Sequence, residues 1–208
     1  MNEKDVYVIS IAGEGKTEEH YFDGLSDYLK GKVILIDRLE KDDEEDTKSH
    51  PNHVFNLLEE RRDYWREYGA ESDELWMVVD RDRQNVSEKQ LENIINKCNE
   101  SSFNLALSNP TFELWLLLHV SAIDKFDAKK LLENPKKSSN SKKRFLEILL
   151  SEISDGYNKS RLDFEKFKPG LEDAIVRAKK LPVSNSELIN SLGTSVCLLV
   201  EQILSDRK

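Results

Sequence analysis

The stretch Leu75-Trp76-Met77-Val78-Val79-Asp80-Arg81-Asp82 decides the fold. Five apolar residues run without interruption and turn polar only at their C-terminal end, which is how a strand buried on both faces of a parallel sheet reads. Upstream, residues 6–12 form a second run of this kind. It is broken by Gly13-Glu14-Gly15 and followed by Tyr21, Phe22, Leu25 and Leu29 at helical spacing, with Thr17 expected to cap that helix. Residues 33–39 read as another strand and 54–68 as an amphipathic helix. Downstream come a helix over 88–98, a strand over 103–107, and a helix over 111–119 with Pro110 at its entrance. Strands alternating with helices predict an α/β fold, a parallel sheet flanked by helices. Beyond it, helical patterns over 128–133, 142–153, 164–181 and 194–204 predict a core over 1–122 with a mainly helical C-terminal elaboration, 123–208, packed on it.

Composition narrows the function. The 208 residues carry a net charge of −9, so the molecule as a whole is no general polyanion binder, and any nucleic-acid contact must be local. Charge is uneven: 14 acids and 6 bases lie between Asp37 and Glu74, whereas 8 bases and 3 acids lie between Asp124 and Arg144. The second region is a lysine-rich loop or a nucleic-acid-facing patch, with Lys136, Lys137, Lys142, Lys143 and Arg144 as its contacts. Residues 136–143 are also biased enough in composition to suggest disorder. No apolar run approaches the ~20 residues of a membrane span, and the N-terminus does not read as a signal peptide, so a cytoplasmic protein is expected. Two cysteines, Cys98 and Cys197, are too few for a disulfide framework and too far apart for a CxxC clip.

In a parallel sheet, ligands bind beyond the C-terminal strand ends. Glu14 follows the first strand, and Asp80 and Asp82 follow the 75–80 strand. If those strands are neighbours, three carboxylates meet at one edge, where they repel each other unless a divalent cation with hard oxygen ligands, Mg²⁺ or Mn²⁺, neutralises them. The plainer alternative makes Asp82 a turn residue beside Arg81 and Arg83, and Glu14 loop surface. A third reading takes residues 10–17 as an imperfect phosphate-binding loop, with Ser10 where the first glycine of such a loop belongs. Glu113, in the first turn of its helix, either faces the carboxylate edge as a metal or positioning residue or complements the helix N-terminus. His119 lies about 600° further round that helix and cannot form a tight diad with Glu113. It reads as a helix-end charge or a core histidine.

The run from Glu14 to Phe22 (EGKTEEHYF), Asp80-Arg81-Asp82 after a strand, and Ser108 to His119 (SNPTFELWLLLH) together resemble the RloB family. Tyr157-Asn158-Lys159 and the stretch from Ala174 to Leu181 resemble its C-terminal part. The resemblance spans nearly the whole chain. It implies a Toprim-like fold related to nucleases of the overcoming-lysogenization type, with a glutamate after strand one and a DxD after strand three, which fall on Glu14, Asp80 and Asp82. It also implies acid–base chemistry for the glutamate, Mg²⁺ binding by the aspartates, and a downstream basic residue near the scissile phosphate, for which Lys159 stands. A role in prokaryotic phage defence, DNA or RNA as substrate and an ATPase partner subunit are further implications. A non-catalytic subunit, docking on its ATPase through the acidic 40–46 loop or the helical tail, is the alternative from another class.

Overall fold

The computed structural model describes residues 7–29, 34–39, 51–67, 74–83 and 85–205. In chain order the elements are β1 (Tyr7–Gly13), α1 (Lys16–Tyr28), β2 (Ile34–Leu39), α2 (Pro51–Glu67), β3 (Glu74–Asp80), α3 (Glu88–Ser101), β4 (Asn104–Asn109), α4 (Glu113–Val120), α5 (Ala128–Glu133), α6 (Phe145–Ile153), α7 (Leu171–Ala178), α8 (Asn185–Leu188), β5 (Gly193–Thr194) and α9 (Val196–Leu204). One sheet has the order β2-β1-β3-β4-β5. Its first four strands are parallel, and the short β5 is antiparallel to β4. The acidic 40–46 loop lies outside the described residues.

Side chains on β3 alternate between two cores, because successive residues of a strand point to opposite faces. Trp76 and Val78 join Ile9 and Ile11 in a cluster with Tyr21 and Phe22 of α1, Trp115 of α4, Leu150 of α6, Ala174 of α7 and Val200 of α9. Met77 and Val79 face the other way, into a cluster with Val54 and Leu58 of α2, Leu91 and Ile94 of α3, and Leu188 of α8. The α/β reading holds: both faces of the sheet are covered. Residues beyond 122 contribute to both clusters and add β5 to the sheet. Helix α4 is apolar on nearly every side and its residues Glu113 to His119 are buried, as expected of a helix enclosed by others.

Local differences from the sequence reading have physical causes. Gly15, not Thr17, occupies the N-cap of α1 and makes no side-chain cap bond; Thr17 sits inside the first turn, buried, and its hydroxyl donates to the Lys159 carbonyl at 3.0 Å. The helix expected over 164–181 is broken into two short 3₁₀ turns, Phe164–Lys166 and Lys168–Gly170, ahead of α7. Pro169 lacks the amide that a helix interior requires, and Gly170 lies against the His119 carbonyl so closely that a Cβ would collide with it. The 136–143 stretch is a hairpin turn: Lys136 and Arg144 form an antiparallel bridge, and the Lys137 amide donates to the Lys143 carbonyl at 3.1 Å. That turn uses the residues before Phe145, so α6 starts there rather than at Lys142.

Candidate active site at the carboxylate edge

Strands β1 and β3 are direct neighbours, with Gly13 level with Val78, so Glu14 and Asp80 leave the sheet at the same edge. Strand β4 ends beside them, with Ser108 level with Asp80, and leads into α4, whose first residue is Glu113. The turn from β1 to α1 is only Glu14-Gly15, which brings the first turn of α1 down onto the strand end. Gly13 permits this approach, since a Cβ there would lie 2.9 Å from the Glu18 Cβ. Glu18 is consequently buried in the carboxylate group. The sequence alone does not single Glu18 out; its one signal is a glutamate one helical turn beyond Glu14, across a two-residue turn.

Asp80 experiences all of this. Burial, and then the negative charges of Glu18, Glu14 and Glu113, push its carboxyl well above the ordinary aspartate range, and only partly does Lys159 counter them. Glu113 takes the opposite course. Burial opposes its charge, but the Lys159 ammonium, 3.1 Å from Oε1, holds it below the usual carboxylate range. The Tyr157 hydroxyl donates to the same Oε1 at 3.1 Å, while burial and the Glu113 charge hold the phenol above its ordinary value. Lys159 also lies 4.0 Å from Glu147 of α6. Although burial works to lower it, the surrounding carboxylates of Glu113, Asp80 and Glu18 keep Lys159 above the ordinary lysine range. A protonated Lys159 and an ionised Glu113 therefore stand beside an Asp80 on which charge is costly.

The chain thus brings Glu14, Asp80, Glu113 and Lys159 into one electrostatic group and adds Glu18, Tyr157 and Glu147. Asp82 stands slightly apart: it accepts a 2.7 Å hydrogen bond from Asn85 Nδ2 and lies 3.9 Å from Arg144 Nη2. The loop bearing it is anchored from beneath by buried Arg81, which donates to the carbonyls of Ile189 at 2.9 Å and Val86 at 2.5 Å. Lys136, Lys137, Lys142 and Lys143 are exposed on the hairpin whose last residue is Arg144, so the basic region borders the carboxylate edge.

The donor chemistry suits a hard divalent cation: clustered carboxylate oxygens, and an aspartate whose charge the protein disfavours until positive charge is supplied. As the side chains stand, no group of three or more His, Cys, Asp or Glu among the described residues is arranged to enclose an ion. Asp82 is turned to Arg144, and Glu113 to Lys159. Glu18 and Asp80 are the residues that would hold a cation, with Glu14 at the same strand edge and Asp82 beside its arginine.

Two sequence candidates lie elsewhere. Ser10, the supposed start of a phosphate loop, is a buried residue in the middle of β1, paired with Asp37 and Leu75 on either side. The chain does not turn there. His119 is a core residue: its Nδ1 donates to the Phe167 carbonyl at 2.8 Å, leaving Nε2 to accept from the Tyr21 hydroxyl at 3.2 Å. Burial lowers its pKa to about 4, so it is neutral at neutral pH and carries no helix-end charge. Because the folded value lies below the unfolded value near 6.5, its contribution is complete above pH 6.5 and lost as pH falls toward 4, amounting to about 3 kcal/mol. Urea unfolding across that interval should show the loss, and His119→Gln should flatten it; an equally steep variant would assign the acid sensitivity to other groups.

Among the described residues no helix is long and apolar enough to cross a membrane. Comparison with curated proteins and with solved structures found no match. The model of the RloB-like protein family matches residues 9–203, nearly the entire chain, with all of the edge residues described above inside it. The chain belongs to the RloB-like family.

Proposed function

We propose that this protein is a phosphodiesterase that cuts nucleic acid with Mg²⁺ or Mn²⁺, and that it serves prokaryotic anti-phage defence, with an ATP-hydrolysing subunit as partner. The observation that supports this reading best is the convergence of Glu14, Glu18, Asp80 and Glu113 on one sheet edge with Lys159 against them. When bound, a divalent cation supplies charge neutralisation and Lewis acidity at that edge. Asp80 and Glu18 would hold it, and Glu14, at the strand end, would take the proton from the water that attacks phosphorus, while the P–O bond to the departing sugar oxygen breaks and that oxygen takes a proton from solvent. Lys159 is kept cationic by three carboxylates and stands where a phosphate oxygen would need a counter-charge. Tyr157 fixes Glu113, which in turn fixes Lys159. The exposed lysines of the 136–144 hairpin bind the phosphate backbone, through contacts that carry no sequence information. The defence role and the ATPase partner rest on family membership alone.

The deciding experiment is an incubation of the purified chain with plasmid DNA, single-stranded DNA and RNA in Mg²⁺, Mn²⁺ or chelator. Cleavage of at least one substrate, abolished by chelator, is expected. Intact substrates throughout, with the ATPase partner present as well, would turn the reading to a non-catalytic subunit.

A further inference from the structure

Of the five basic residues on the hairpin, Arg144 is placed differently from the four lysines. The lysines are exposed, whereas Arg144 is half-buried at the base, its Nη2 3.9 Å from Asp82 Oδ1, with the two side chains 20% and 25% exposed. Its backbone amide donates to Glu147 Oε2 at 3.1 Å, and the other oxygen of Glu147 lies 4.0 Å from Lys159 Nζ. Its Nη1 donates to the Asn134 carbonyl at 3.4 Å, which ties it to the start of the same hairpin. One residue therefore reaches the DxD loop through its guanidinium, the Glu113–Lys159 pair through Glu147, and the basic surface through its own strand of the hairpin.

We propose that Arg144 is a positioning residue that couples nucleic-acid binding on the hairpin to cation binding at the carboxylate edge. In the free protein its guanidinium neutralises Asp82; a phosphate that takes over the guanidinium releases Asp82 to a divalent cation. This inference rests on the metal-dependent reading above. A guanidinium at 3.9 Å holds a carboxylate as a loose ion pair, while phosphate offers it two parallel, charge-assisted hydrogen bonds. Through the exchange Asp82 keeps its bond from Asn85 and Arg144 keeps its backbone anchor on Glu147. Since coupling between two binding sites is reciprocal, nucleic acid tightens the cation and the cation tightens nucleic acid by the same factor.

Mn²⁺ affinity, read from the electron paramagnetic resonance of the free ion, tests this without any turnover. Arg144→Gln should bind Mn²⁺ about twofold to fivefold more tightly than the parent, the range of one partly exposed ion pair. Adding a short single-stranded phosphorothioate oligonucleotide, with the Mn²⁺ it holds by itself subtracted, should tighten binding to the parent by a similar factor and leave Arg144→Gln unchanged. Arg144→Lys, which keeps the charge but loses the planar fork, should fall between the two and guards against a folding defect in the glutamine variant. The double variant Lys142→Gln/Lys143→Gln should bind Mn²⁺ as the parent does while binding the oligonucleotide more weakly. If the parent binds Mn²⁺ and neither Arg144→Gln nor the oligonucleotide changes its affinity, the coupling is wrong and the metal reading survives. If the parent and both Arg144 variants bind no Mn²⁺, with or without the oligonucleotide, the coupling and the metal reading fall together.

Discussion

Asp80→Asn is expected to raise the thermal stability of the metal-free protein while reducing metal affinity and metal-dependent cleavage together. Both effects come from one cause. The folded chain lifts the Asp80 pKa above its ordinary value through burial and the charges of Glu18, Glu14 and Glu113, so an ionised Asp80 costs stability at neutral pH, and that cost recedes as pH falls through the raised folded value. A neutral amide of similar volume removes the repulsion and should raise Tm by about 2–4 °C for each kcal/mol relieved in a chain of this size. On the metal-dependent reading it also removes a charged oxygen ligand, so cleavage should fall with metal affinity. Glu14→Gln should behave differently. If Glu14 takes the proton from water, Mn²⁺ affinity persists while turnover falls by on the order of 10²–10⁴. Loss of Mn²⁺ binding in Glu14→Gln would make it a ligand and move the base elsewhere. Full activity in both variants would take the catalysis away from this carboxylate edge.

The second large effect concerns Lys159. Glu113 is 2% exposed, and this ammonium is the largest influence favouring its ionised form against burial. Lys159→Met keeps the aliphatic stem but leaves a buried carboxylate with the Tyr157 hydroxyl alone of these two partners, which should cost about 2 kcal/mol at neutral pH. That is below the ~3–5 kcal/mol of a fully buried pair, because the Lys159 side chain remains about half exposed and is screened by solvent. The sign of the pH dependence identifies the cause. With Lys159 present, Glu113 lies below its ordinary value, so its contribution is present above about pH 4.5 and lost on acidification. In Lys159→Met the Glu113 pKa rises instead, and the deficit relative to the parent should shrink as pH falls and Glu113 protonates. Parallel urea-unfolding series that differ by a constant offset at every pH would mean that the loss is one of packing, not of charge.

Much of this architecture was legible in residue order. A fully apolar strand ending in Asp80 implied a sheet covered on both faces, and Met77 and Val79 do face one core while Trp76 and Val78 face the other. The strand spacing put Glu14 and Asp80 on the C-terminal side of their strands, and direct pairing of β1 with β3 makes them neighbours. Those inferences are local or topological: burial on two faces leaves an uninterrupted apolar run, and parallel strands with helical crossovers open onto one edge.

What residue order could not convey was which side chains meet across long separations. Thr17 reads as a cap because hydroxyls cap helices, yet it serves Lys159, 142 residues away. Glu18 reads like Glu19 beside it, and only the closeness of α1 to Gly13 buries the first. Asp82 reads as the equal of Asp80, but the hairpin delivers Arg144 to it and separates their surroundings. His119 reads as a charge at a helix end until Tyr21 and Phe167 enclose it and burial removes the charge. Periodicity reports which face of an element is dry, since that depends on neighbours in the chain. The charge state of a group depends on what packs against it from other elements, and that was decided only by the tertiary structure.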